Sequence, residues 1–267
     1  MQLATKPGLA RCRSGRPAYP PEDAGGRYRG RVTGNLLDGW RAEEYGRSRD
    51  GVALSVFMPE GDGPVAGLLT AGQHGEEAAA ALLVRRLLER VPGGATRWAV
   101  VPVLNPDGLI NGSRQNAAGV DLNRNFPAAS WRPNDSFTFP PGIADELRVL
   151  ENRTNLSSPG EHAGSEPETQ ALMRLVERVQ PPLVVDIHSP LELVFPRGDV
   201  PPAVLDALCR AADLPIDDDV GECPGAFDDW LLEVGIPAIV YEVEHAGLPA
   251  LCARHLPGLQ ALLLSPS

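Results

Sequence analysis

A histidine and a glutamate three residues apart, His74 and Glu77, mark a candidate metal site in this 267-residue chain. They follow an apolar run at 65–71, after Gly72 and Gln73. Ligands at that spacing can converge on one ion where a loop turns into a helix. A further histidine, His188, closes another apolar run, VVDIHSP. Two imidazoles and one carboxylate favour zinc among divalent ions, and they leave a coordination position for water, as a catalytic site requires. An H-x-x-E pair alone is a weak signal. Its weight comes from joint placement, because all three residues fall where a strand is expected to meet a loop, in a chain with only 5 histidines. His162, His245 and His255 lack that context and read as surface or structural residues.

These ligands need a scaffold. The run at 65–71 is apolar and bounded by glycines, as a buried strand should be. Residues 76–90 (EEAAAALLVRRLLER) read as a helix with acids at its start and arginines at its end, which suits the helix dipole. Strands are expected at 52–58, 98–104, 183–188 and 238–244. Helices are expected at 40–45, 165–179, 202–212, 228–234 and 248–264, the last disturbed at Pro257. At 165 the sequence SEPE suggests Ser165 as N-cap with Glu168 reaching back to it. Residues 105–164 are rich in Pro, Gly and Asn, and an irregular stretch of that length is usually functional. Within it, Asn105-Pro106-Asp107-Gly108 reads as a structural turn.

Strand–helix alternation with long apolar strands predicts an α/β fold: a mixed, largely parallel central sheet with helices on both faces. Sites in such sheets lie beyond the carboxyl ends of the strands, where both histidine segments are expected. Residues 1–38, rich in Gly, Pro and Arg, read as an N-terminal arm, and 39–267 as the globular domain.

Composition narrows the partners. The net charge of −11 excludes nucleic acid as a main partner, since phosphate contacts need a basic face. Cys12, Cys209, Cys223 and Cys252 are far apart and form no CxxC pair, so reduced thiols are expected. No apolar signal core opens the chain and no run approaches the ~20 apolar residues of a membrane span, so a cytoplasmic location is expected, with no membrane partner. A homodimer is compatible with this reading.

Three more segments complete a pattern: NPDGLINGSRQNAAGVDLNRNFP at 105–127, IPAIVYEVE at 236–244 and YGRSRDGVAL at 45–54. With HGEE and DIHSP they resemble, in order, the zinc metallocarboxypeptidase family, the carboxypeptidase A-like peptidases, over residues 40–264. The resemblance implies one zinc ion held by His74, Glu77 and His188. It implies Glu242 as general base and proton donor to the leaving amine, with Glu244, two residues on, as a minor competitor. It further implies that Arg114 stabilises the tetrahedral oxyanion, and that Asn123 and Arg124 grip the substrate's terminal carboxylate. Asp186 could orient His188 or pair within its strand.

The segments HGEE, NPDG, GVDLNRNFP, SEPET and DIHSPL look most like the murein peptide amidase group of that family. That group's substrate is a small peptide, cut between γ-D-glutamate and meso-diaminopimelate. Asp228 precedes Asp229-Trp230, where the family places the base of its specificity pocket. An acid there suits an amine on the substrate side chain, whether diaminopimelate, lysine or arginine, or else it is a solvated helix-start acid. The family's pancreatic members carry a mobile tyrosine shortly before this motif, and DDDVGECPGAF has none at that place. The alternatives are a general metallocarboxypeptidase acting on C-terminal residues, a small acyl-amino-acid deacylase, and a non-catalytic binding module on the same fold.

Overall fold

The parallel strands form because four short apolar runs can be buried on both faces. In the computed structural model, which describes residues 37–133, 158–217 and 223–265, they are β3 (Gly67–Ala71), β4 (Trp98–Val101), β5 (Val184–His188) and β7 (Ala238–Glu244). β1 (Arg41–Arg47), β2 (Ala53–Met58) and β6 (Leu191–Arg197) complete a sheet of 7 strands in the order β1-β2-β4-β3-β5-β7-β6. The three central pairings are parallel and the three outer ones antiparallel. The expected mixed, largely parallel sheet is therefore the one observed.

Side chains alternate between two cores, as the two-residue period of a strand requires. Leu69, Val185 and Ile239 face α1 (Ala78–Arg90), α4 (Pro202–Ala212) and α6 (Leu248–Leu264), meeting Leu83, Leu87, Leu208 and Leu259. Leu68, Val184 and Ala238 face α3 (Pro167–Val179) and α5 (Phe227–Glu233), meeting Leu172, Val176, Phe227 and Trp230. Helices thus cover both faces. Each fully buried leucine here contributes about 2–3 kcal/mol of apolar burial.

Several elements differ from expectation. The expected helix at 40–45 is strand β1. RAEEYGR is locally helix-compatible, but its hairpin partner β2 captures it, with pairs running from Arg41↔Met58 to Arg47↔Ala53 and a bulge between Glu44 and Gly46. Strand β6 was not expected; it starts only three residues after β5 ends and contains Pro196, which an edge strand tolerates. Asn105-Pro106-Asp107-Gly108 is the start of a helix, not a turn: Asn105 caps α2 (Pro106–Asn111), its side-chain oxygen accepting from Gly108 N at 2.9 Å. The capping box at 165 does not form. Glu166 holds the N-cap position, and Glu168 accepts from Arg49 N at 2.7 Å and from Asn116 at 3.2 Å instead. Pro257 lies inside α6, which is continuous through it. Residues 1–36 of the expected arm lie outside the described residues, as do 134–157 of the irregular stretch.

Two glycines shape the segment that carries His74. Gly72, at φ +65°, turns the chain out of β3 while its carbonyl accepts from Asn105 N at 2.8 Å. Gly75 packs against α2 so closely that an added Cβ would overlap the backbone of Gly108 and Leu109. Gly75→Ala is therefore expected to cost about 3 kcal/mol of stability and to weaken metal retention. Thermal melting and metal content check this; an unchanged melt with full metal content contradicts it.

Candidate metal centre and active site

The register of the sheet assembles the site. β5 and β7 are parallel with His188 opposite Glu242, and β3 ends beside Ile187, so the loop after β3 delivers His74 and Glu77 to the same edge. Glu77 occupies the N-cap position of α1 but caps nothing with its side chain. Its carboxylate turns to the histidines: Oε1 lies 2.6 Å from His74 Nδ1 and Oε2 lies 3.1 Å from His188 Nδ1. Ligand atoms of His74, Glu77 and His188 all fall within 4.8 Å of one another, and all three residues are buried.

The far side of each imidazole is anchored. His74 Nε2 lies 3.2 Å from Asp121 Oδ1, and His188 Nε2 lies 2.8 Å from Asp186 Oδ2. Asp186 is held in turn by Thr70, whose hydroxyl donates to Oδ1 at 2.6 Å. A carboxylate behind each ring fixes its orientation and leaves both Nδ1 atoms facing one point, as histidine ligands of metals usually require. The field also favours a cation. Burial opposes charge on both rings, yet Asp186 and Glu77 hold His188 well above its ordinary pKa, and Glu77 and Asp121 raise His74 against burial and Arg114. Burial alone would raise Glu77; the two histidines pull it below the usual carboxylate range. The donor set, its orientation and its charge all fit a divalent ion such as zinc.

Glu242 stands across from His188, its Oε2 accepting from Leu191 N at 3.2 Å. Burial, assisted by the nearby Glu77 charge and opposed by His188, pushes its pKa up to about 7. Glu244 has turned elsewhere. It lies 2.7 Å from His255 Nε2 and 3.2 Å from Arg254, while Tyr241 Oη lies 2.8 Å from the other ring nitrogen of His255. His255 is thus a buried structural residue, and His162 and His245 are exposed.

Arg114 is buried beside the triad. Its Nε donates to Asp121 Oδ2 at 2.8 Å, and Nη1 lies 3.6 Å from Glu76 and 3.9 Å from Glu77. Asn123 and Arg124 sit on a 3₁₀ turn, Leu122–Arg124, that Asp121 caps through Asn123 N at 3.0 Å. Asn123 Oδ1 accepts from Phe227 N at 2.9 Å, which identifies Nδ2 as the amide's donor end. Arg124 Nη2 lies 3.6 Å from Cys223 Sγ. Asp228 does not stand alone: Arg197 Nε lies 3.2 Å from its Oδ2.

Two residues here were not expected from the sequence. Asp121 joins His74, Arg114 and the 3₁₀ turn at once; its position just before Leu122-Asn123-Arg124 signals a cap, but not a histidine partner. Arg197 lies on the unexpected strand β6.

A buried two-histidine, one-glutamate centre at the carboxyl edge of a mixed sheet, faced by a second glutamate, defines a hydrolytic metalloenzyme. The zinc carboxypeptidase family matches residues 44–203, and this chain belongs to that family. It is a hydrolase acting on peptide bonds, with zinc as its cofactor. Murein peptide amidase A of Escherichia coli (strain K12) is 38% identical to it over 202 residues, 75% of this chain and 80% of that protein. The protein of the same name from Vibrio campbellii (strain ATCC BAA-1116) is 33% identical over 223 residues, 82% of this chain and 86% of that one. The crystal structure of the murein-tripeptide amidase MpaA from Escherichia coli O157 matches with a TM-score of 0.75 and 31% identity, over 96% of this chain and 98% of that chain. Thrombin activatable fibrinolysis inhibitor, at 16% identity and a TM-score of 0.65 over 85% of this chain and 68% of that one, shares the fold. Cys209, Cys223 and Cys252 are free, and among the described residues no helix is long and apolar enough to cross a membrane.

Proposed function

We propose that this chain hydrolyses the γ-D-glutamyl–meso-diaminopimelate bond of murein tripeptide, in cell-wall peptide recycling in the cytoplasm. The observation that carries the reading is the convergence of His74, Glu77 and His188 opposite Glu242. The likeness to proteins named murein peptide amidase supplies the substrate.

His74 and His188, through Nδ1, and the Glu77 carboxylate would hold zinc. Zinc bound there supplies a Lewis acid and makes water a better nucleophile near neutral pH. Asn123 Nδ2 and the Arg124 guanidinium bind the free carboxylate of the residue to be released, whose planar oxygens suit a guanidinium fork. Glu242 takes a proton from the attacking water as its oxygen bonds to the carbonyl carbon. The Arg114 guanidinium balances the negative charge that develops on the carbonyl oxygen. Glu242 then passes the proton to the leaving nitrogen as the C–N bond breaks, releasing the amine. Burial of Glu242 keeps its basicity near the working pH, where a general base is most effective.

A base works only when deprotonated, so kcat/KM is expected to fall as pH drops through the Glu242 pKa. Burial puts that pKa at about 7, and a dication at the triad lowers it. The acid limb of the profile should therefore lie at or below pH 7 and disappear in Glu242→Gln; an acid limb unchanged by that substitution contradicts the role. The substrate is tested with L-Ala-γ-D-Glu-meso-diaminopimelate beside α-linked peptides ending in Lys, Arg or Leu. Preferential release of diaminopimelate supports the reading, and cleavage of only the α-linked peptides moves the assignment to a general carboxypeptidase.

A further inference from the structure

Arg197 ends β6 within a fixed cluster of charges. Its Nε lies 3.2 Å from Asp228 Oδ2, and its Nη2 donates to Asp229 Oδ1. The guanidinium carbon stands over the Phe195 ring, 5.3 Å from its centre. Asp229 Oδ2 accepts from the Ser130 hydroxyl at 2.7 Å, and Ser130 Oγ accepts from Gly225 N at 3.1 Å. Contacts from β6, from α5 and from the 128–131 segment therefore hold the cluster in one arrangement.

The cluster shares a wall with the proposed carboxylate grip. Phe227, the first residue of α5, donates its N–H to Asn123 Oδ1, and Asp228 is the next residue. The Asp228 carboxylate is near enough to Asp186, behind His188, for their like charges to act on each other. Burial and Asp229, opposed by Arg197, push Asp228 up to about 6.

One guanidinium against two carboxylates leaves the cluster with a negative excess. Nη2 donates to Asp229, and Nε faces Asp228 at 3.2 Å without a hydrogen bond, so Nε and Nη1 keep donor capacity among the described contacts, and the Arg197 side chain is 27% exposed. A lysine side chain offers only an ammonium, which competes with Arg197 for Asp228 and gives Arg197 nothing. A leucine side chain satisfies neither. An amino acid centre at the far end of the side chain offers both signs: its ammonium meets Asp228 and its carboxylate meets Arg197. We infer that Arg197 is a specificity-determining residue that reads a distal carboxylate on the released residue, with Asp228 reading the ammonium beside it. The inference rests on the murein tripeptide reading and deepens it, since meso-diaminopimelate carries such a centre.

The test uses the full zinc-loaded chain and three tripeptides of the form L-Ala-γ-D-Glu-X. X is meso-diaminopimelate, the same residue amidated at its distal carboxyl, or lysine. The first is expected to exceed the other two in kcat/KM by about 100-fold, because a site built around a polar group rejects the analogue that lacks it. Most of the difference should appear in KM. Arg197→Gln should lower kcat/KM for the first about 100-fold and leave the other two within about threefold. Arg197→Lys, which keeps the charge but not the fork, should recover part of the loss. Equal rates on the free and amidated peptides overturn the inference, and that comparison on the unaltered protein decides even where Arg197→Gln fails to fold. Cleavage of all three alike removes this inference alone, whereas cleavage of none removes the murein reading and the inference with it.

Discussion

Glu242→Gln is expected to lower kcat by about 10³-fold while leaving KM and zinc content nearly unchanged. The substitution keeps the side chain's shape and its contact with Leu191 N, but removes the group that accepts the proton. Stability should hold or rise slightly, because a buried carboxylate whose pKa burial has pushed to about 7 is replaced by a neutral amide. Glu244→Gln is the matched control. It disturbs the His255 and Arg254 contacts and should leave the rate within about threefold. A loss of less than tenfold in Glu242→Gln, or an equal loss in Glu244→Gln, removes Glu242 from the role of base.

His188→Ala carries the second large effect. It deletes one donor of the triad, leaves Asp186 buried without its imidazole partner and leaves Glu77 with His74 alone. Uncompensated buried charge costs several kcal/mol, so melting temperature should fall along with zinc content, and activity should drop by about 10⁴-fold or more. Asp186→Asn separates orientation from ligation: all three donors stay, but the ring loses its carboxylate anchor. Metal affinity should fall about 10- to 100-fold, and added zinc should restore activity. Full zinc occupancy in His188→Ala, measured by metal analysis of folded protein, contradicts the assigned ligand set.

The parts of this molecule that were legible in the sequence are those whose information is local. GLLTA, WAVV, VVDIH and AIVYEVE are apolar on both faces and announce buried parallel strands without reference to anything else. His74, Glu77 and His188 were legible because each follows or ends such a strand, and a parallel sheet brings strand ends to one edge. Other features depend on partners far along the chain. β1 is decided by its pairing with β2, and β6 by its pairing with β7, against what Arg41–Arg47 and a proline-bearing segment suggest locally. Glu168 looked like a capping residue, yet Arg49 and Asn116, both more than 50 residues earlier in the chain, claim its carboxylate. Asp121 and Arg197 were missed for the same reason. Nothing near Arg197 in sequence reveals that it meets Asp228 and Asp229.

Zinc at His74, Glu77 and His188 is proposed to serve hydrolysis of murein tripeptide. The most direct test follows diaminopimelate release from L-Ala-γ-D-Glu-meso-diaminopimelate by purified protein, by protein stripped with a chelator, and by stripped protein given back one equivalent of zinc. Release is expected from the first, none from the second and recovery from the third. Release that survives complete stripping, or zinc-restored protein that leaves this tripeptide intact, contradicts that role.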